Sequence, residues 1–200
     1  MKHAFLCLCF LLLTACEAQT PGVSRPAGEK PLFLGTEVTD PAFSPDFRLK
    51  DAEGRTHALA DWHGKVVMLF FGYASCPDIC PTTLFRAAQV MKLLGDDAKR
   101  VQTLFVTLDP MRDTPDVLRE YTRIFHPDFL GLYTTQEETP RLARAFRLFF
   151  RINPGETPQS YTVDHGVNTY LYDPGGKLRL LIPHESPPEA LATDIRTLLR

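Results

Sequence analysis

The sequence predicts an α/β fold, one mixed sheet with helices on both faces. Three observations lead there. Two continuous apolar runs of strand length, 65–72 (KVVMLFFG) and 101–108 (VQTLFVTL), read as strands buried on both faces. Segments with helical spacing alternate with them and supply the covering layers. A late turn signal, Pro174-Gly175-Gly176, folds two further strands back on each other before a closing helix.

The elements follow in order. Asp46 to Gly54 alternates and then turns, giving a short strand and an N-terminal hairpin. After the strand 65–72, the spacing of Leu84, Ala87, Ala88, Met91 and Leu94 predicts a helix over 82–95, ended by Gly95. After the strand 101–108, Asp113-Thr114-Pro115 opens a helix through Phe125, a capping side chain preceding a proline in the first turn. Leu142, Ala145, Phe146 and Phe149 predict a helix over 136–149. A third strand is expected at 167–173, a hairpin partner at 177–182, and an amphipathic helix in the last dozen residues. Trp62, Phe70, Phe71 and Phe105 are candidate core residues, and Met68, Met91 and Met111 read as core or loop.

Composition closes off some functions. The chain has 200 residues, with 22 Lys+Arg against 24 Asp+Glu, so it lacks the basic excess that drives phosphate binding and nucleic acid is not an expected partner. With 44% apolar residues it is not a disordered acidic chain. Five cysteines (Cys7, Cys9, Cys16, Cys76, Cys80) are too few for a disulfide scaffold.

The start of the chain reads as an address. One basic residue precedes an apolar run of 12, Ala4 to Ala15, well short of the roughly 20 residues a membrane-spanning helix needs. It fits a secretory signal over 1–15. Leu13-Thr14-Ala15-Cys16 resembles a bacterial lipobox, in which Cys16 becomes the lipidated first residue of the mature protein. Residues 16–31, polar and proline-bearing, read as a lipid-anchored flexible tether, and 32–200 as one domain. Export puts Cys76 and Cys80 in an oxidising compartment. The expected location is the bacterial cell envelope, facing the periplasm. Glu17 after the lipid cysteine leans toward the outer membrane by analogy with bacterial sorting, and the choice of membrane stays open.

The chemistry gathers at Cys76-Pro77-Asp78-Ile79-Cys80-Pro81, between a buried strand and a helix, where sites in open α/β sheets collect. Amides of a helix N-terminus favour thiolates. Pro81 belongs in the helix's first turn, and prolines after Cys76 and Cys80 steer both away from helical angles, so a loop is expected to present both sulfurs. Three readings compete. A structural disulfide gains little from closing so small a loop. A redox disulfide usually has two residues between its cysteines, and here there are three. A metal site needs a third ligand, and two thiolates with an imidazole suit copper or zinc. Where the cysteines fall narrows the class to a thioredoxin-like three-layer sandwich.

Of the histidines, His57, His63, His126 and His184 sit in polar or turn-rich contexts and read as surface residues. His165 differs. In the thioredoxin fold the loop entering the strand after it faces the cysteines and normally carries a cis-proline. Here no proline immediately precedes the strand, and His165 stands where a ligand could reach both sulfurs.

These residues in order resemble the Sco/SenC family of copper-binding proteins, which help assemble the copper centre of cytochrome c oxidase. The resemblance runs over roughly residues 40–200. It rests on Gly64-Lys65, on Phe71-Gly72 before Cys76-Pro77-Asp78-Ile79-Cys80-Pro81, and on Leu108-Asp109-Pro110-Met111-Arg112-Asp113-Thr114-Pro115. Val163-Asp164-His165 and Tyr170 through Asp173-Pro174-Gly175-Gly176-Lys177 complete it. Gly166 departs from the serine often found after the histidine, and a lipid anchor replaces the membrane helix of many members.

The resemblance implies that Cys76, Cys80 and His165 ligate copper, as Cu(I) or Cu(II), and that Cys76 and Cys80 join as a disulfide when oxidised. It implies a metallochaperone for an oxidase subunit or another periplasmic copper protein. The alternative is a thiol–disulfide oxidoreductase using Cys76 and Cys80 as its redox pair, without need of His165. Asp109, ending a buried strand on the cysteine edge, is a candidate to support the ligands or touch a partner. Its other reading is turn chemistry, and Asp113 reads as a helix cap.

Overall fold

The computed structural model describes residues 32–38, 40, 42–157 and 160–200. The signal, the tether and Cys16 lie outside the described residues. A central mixed sheet has the strand order β1-β10-β9-β4-β5-β6. Its strands are β1 (Thr36–Glu37), β4 (Val66–Gly72), β5 (Val101–Thr107), β6 (Leu130–Leu132), β9 (Thr169–Tyr172) and β10 (Leu178–Ile182). β4, β5 and β6 run parallel, while β9, β10 and β1 pair antiparallel. The N-terminal hairpin is β2 (Arg48–Lys50) with β3 (Thr56–Ala58), and a second hairpin pairs β7 (Phe150–Asn153) with β8 (Thr162–His165). The helices are α1 (Ile79–Leu94), α2 (Pro115–Phe125), α3 (Thr139–Ala145) and α4 (Pro188–Leu198).

The period of two in β4 builds both cores. Val66, Met68 and Phe70 pack with Leu84, Val90 and Met91 of α1, Leu118 of α2 and Leu191 and Ile195 of α4. Val67, Leu69 and Phe71 point the other way, toward Ala143 of α3, Phe146, Leu49 and Trp62. This is the expected α/β sandwich, a sheet between two layers. Among the described residues no helix is long and apolar enough to cross a membrane.

Several boundaries differ from expectation. α2 spans the expected residues, but its cap is Thr114, whose side chain accepts from the Val117 N–H at 3.4 Å. Asp113 is buried instead. α1 begins at Ile79, so Cys80 and Pro81 lie in its first turn and only Cys76 belongs to the loop. A proline ring disfavours helical angles in the residue before it without forbidding them, and here packing against the sheet prevails. The helix expected over 136–149 is the short α3; the chain turns at Arg147 (φ 49) and enters β7, leaving Phe149 exposed. The strand expected from 167 starts at Thr169, and His165 ends β8.

Candidate metal centre

β4 delivers the cysteine loop. The strand is buried throughout and ends at Gly72, and the chain turns through Tyr73 to Asp78 into α1. Gly72 is required by close approach. A Cβ there would lie 2.6 Å from Cys80 Sγ and 2.8 Å from the Phe105 ring, so the sulfur rests directly on strand backbone. Cys80 is buried, and Cys76 is half-buried with its N–H donated to the Tyr73 carbonyl at 3.1 Å.

The two sulfurs are unbonded thiols coupled by a hydrogen bond. The coupling splits them. Donation from Cys80 holds the Cys76 thiol far below its usual range, at about 5, helped by the Asp78 and Cys80 amides at the helix start. The hydrogen bond to Cys76 and burial push Cys80 strongly up. At neutral pH the pair is one half-buried thiolate and one buried thiol.

His165 enters from β8, where it pairs with Phe150. Its Nδ1 lies 2.8 Å from the Gly166 carbonyl, a partner that can only accept, so Nδ1 carries the proton. Nε2 is left with a lone pair, 3.7 Å from Cys80 Sγ. The ring meets the Tyr73 ring edge-on, centroids 6.2 Å apart. A Cβ on Gly166 would lie 2.8 Å from Leu148 Cδ1, the end of a flexible side chain, so that position is less tightly constrained. An open pocket of about 410 Å³ lies over the group, lined by Tyr73, Cys76, Pro77, Phe149, His165 and Val167.

Cys76, Cys80 and His165 are thus brought together by pairwise contacts. Among the described residues no three His, Cys, Asp or Glu side chains already surround one metal-sized point, so convergence on an ion needs side-chain rotation. The donor chemistry fits a soft or borderline metal: two sulfurs and one imidazole lone pair. Three of the other described histidines find different partners. His57 is clamped by Asp51 at 2.8 Å and stacks on Trp62, more constrained than a surface residue. His126 stacks on Phe129, and His184 Nδ1 meets Thr83 Oγ1 at 2.9 Å.

Behind the trio lies the turn from β5 to α2. Asp109 is buried, ion-paired with Arg112, and accepts from the Tyr161 hydroxyl at 2.5 Å. Asp113 accepts from the Ala74 N–H at 2.9 Å and the Thr107 hydroxyl at 2.6 Å, so it pins the cysteine loop. Burial raises its carboxyl to about 6. Sequence reasoning missed Arg112, Tyr161, Tyr73 and the burial of Asp113. The spacing Asp109-x-x-Arg112 was the available signal, and it reads equally as a solvated turn.

Comparison with known proteins adds the family. The model of the SCO1/SenC family matches residues 36–200. A bovine relative, "Protein SCO2 homolog, mitochondrial", is 40% identical over 133 residues, covering 66% of this chain and 50% of that protein. A "SCO2-like protein" of Rickettsia felis is 36% identical over 148 residues, covering 73% of this chain and 72% of the other. Among solved structures, Bradyrhizobium japonicum ScoI with copper bound superposes with a TM-score of 0.71 and 32% identity, covering 78% of this chain and 99% of that one.

Proposed function

The chain belongs to the SCO1/SenC family, and from that premise we propose that it is a copper chaperone. Copper is its cargo, bound by Cys76, Cys80 and His165 and delivered for assembly of the cytochrome c oxidase copper centre or to another periplasmic copper protein. The observation that carries the reading is the unprotonated Nε2 of His165, 3.7 Å from Cys80 Sγ and beside a second thiol.

Each residue then has a task. Cys76, already a thiolate at neutral pH and facing the pocket, receives the ion. Cys80 gives up its proton as the ion displaces it and becomes the second thiolate. Nε2 of His165 supplies the third bond, a set that suits Cu(I); Cu(II) would take a further ligand such as water or a carboxylate. Release runs by ligand exchange at Cys76, which lines the open pocket. Oxidation of both thiols to a disulfide removes two ligands at once, so loading is tied to redox state. Lipidation at Cys16 would hold the domain at the periplasmic face of a membrane, and loss of lipid labelling in Cys16→Ser tests that part.

A second reading, thiol–disulfide exchange on an exported protein, is favoured by the same low-titrating Cys76 beside a buried partner. The deciding experiment is anaerobic Cu(I) titration of the reduced protein against a competing chelator, with His165→Ala in parallel. Tight one-to-one binding, weakened in the variant, is expected. Affinity indifferent to His165 would overturn the three-donor site and leave exchange as the function.

A further inference from the structure

His165 does not sit on the central sheet. It belongs to the separate β7–β8 hairpin, while both cysteines hang from β4 and α1. The distance between imidazole and sulfur therefore depends on whatever holds the hairpin against the cysteine loop.

One short turn does both jobs. On one side, the carboxylate of Asp113 takes the Ala74 N–H of the cysteine loop. On the other, Arg112 takes hold of the hairpin at Tyr161. Its guanidinium lies 3.7 Å from the centre of the Tyr161 ring and donates to the Tyr161 carbonyl at 2.9 Å. Asp109 ties the two together, pairing with Arg112 and accepting from the Tyr161 hydroxyl at 2.5 Å. Asp109 is itself fixed, its N–H donated to Thr107 Oγ1 at 2.9 Å. Arg112 also reaches toward the Tyr73 ring, 5.6 Å away, and Tyr73 is the residue that His165 meets edge-on.

We propose that Asp109, Arg112 and Tyr161 form a bracket that sets the gap between His165 and the cysteine pair, and so decides whether the imidazole serves as the third ligand. They are positioning residues, because none of them touches the ion. The inference rests on the three-donor reading of the site above. The geometry favours a bracket over a simple surface ion pair. Asp109 is buried, and Arg112 makes an ion pair with Asp109, a hydrogen bond and a stacking contact with Tyr161, and a longer ring contact with Tyr73. A planar, stacked, doubly bonded guanidinium fixes orientation in a way a lysine ammonium does not.

The test is a double-mutant cycle on Cu(I) affinity, measured on the reduced full chain with a competing chelator. The variants are Arg112→Leu, His165→Ala and the pair. Loss of a group that orients a ligand lowers metal affinity about 10- to 100-fold, and Arg112→Leu is expected in that range. In the His165→Ala background the same change is expected to cost little more, because there is no imidazole left to place. Arg112→Lys should recover only part of the affinity. Tyr161→Phe keeps the ring and carbonyl, loses the bond to Asp109, and should fall between wild type and Arg112→Leu. It also serves if Arg112→Leu fails to fold.

A readout that a general loss of structure would move keeps the roles apart. The pH profile of Cys76 alkylation should stay at its wild-type position in Arg112→Leu and Tyr161→Phe, since the thiol pair is held by Asp113 and the helix start. Wild-type Cu(I) affinity in both variants, or additive losses in the cycle, would overturn the bracket. Unchanged affinity in His165→Ala would instead remove the three-donor reading, so the two failures are distinguishable.

Discussion

A cysteine that titrates at 9 is about 1% thiolate at pH 7, and one that titrates at about 5 is about 99% thiolate. Cys76 moves from the first condition to the second, so its thiolate population rises about a hundredfold. The rate of attack on an alkylating agent does not rise in step. Nucleophilicity falls with basicity along a slope of about 0.4–0.5, which over this interval takes back about 40- to 100-fold. The two effects nearly cancel at pH 7. Absolute reactivity is therefore a poor test, and the shape of the pH profile is the good one. Iodoacetamide alkylation followed from pH 3.5 to 9.5, with the modified peptide assigned by mass, should show a plateau across neutral pH and a fall centred near 5. Cys80, buried and titrating high, should stay unmodified. Cys80→Ala removes the largest cause of the shift, and the midpoint should climb toward the ordinary thiol range. A wild-type midpoint near 9, or one that Cys80→Ala leaves in place, would refute the coupled-thiol picture. The sign for folding follows from a depressed acid. Its stabilising contribution is present above the unfolded value near 9 and is lost as pH falls through about 5. The proton count for Cu(I) follows too: at pH 7 loading should release about one proton, from Cys80, and calorimetry in two buffers reads that number.

Two further substitutions probe the scaffold. Gly72→Ala puts a methyl 2.6 Å from Cys80 Sγ and against the Phe105 ring, and overpacking of this kind costs about 1–3 kcal/mol. Denaturant unfolding should show that loss together with weaker Cu(I) binding, and wild-type values for both would mean the sulfur does not rest on the strand. Asp113, raised from 3.8 to about 6 by burial, binds its proton more tightly folded than unfolded. Its contribution is full below about 4 and is lost as pH rises through about 6, on the order of 3 kcal/mol. In Asp113→Asn that pH-dependent loss should vanish. Parallel urea stability curves for the two proteins between pH 4 and 7 would count against a buried, titrating carboxyl.

What the sequence disclosed depended on whether one physical signal acted alone. β4 and β5 were legible because a strand buried on both faces is apolar at every position, as Val66 through Phe71 are. α2 was legible from Pro115 after a capping residue, although the cap proved to be Thr114 and not Asp113. Where two elements shared one periodic pattern, the reading failed. Leu142 lies in α3 and Phe146 caps it, but Phe149 follows a reversal at Arg147 and leads into β7, so the spacing joined a helix to a strand. β7 and β8 are mostly half-exposed and carry no clean alternation, which hid the hairpin that holds His165. The two thiols and the imidazole were found as residues. Of their support only Asp109 was picked out; Arg112 and Asp113 look like a hydrated turn until the fold buries Asp113 and half-buries Arg112.

The split thiol pair alone does not choose between copper transfer and thiol exchange, since either uses an exposed thiolate next to a protonated partner. His165 separates them. An exchanger needs the two thiols and can work without an imidazole, whereas the proposed three-donor site cannot. Here Nδ1 is committed to the Gly166 carbonyl, and that commitment leaves Nε2 as an acceptor facing Cys80. The turn that braces the hairpin carrying this ring also braces the loop carrying the thiols. A buried acid and a stacked arginine in that turn are expensive to fold unless the placement they enforce is used. Replacing His165 by Ala should consequently leave the disulfide's formation and reduction close to wild type while weakening the hold on Cu(I). The opposite pattern, with exchange impaired and metal affinity kept, would assign the imidazole to the thiol chemistry.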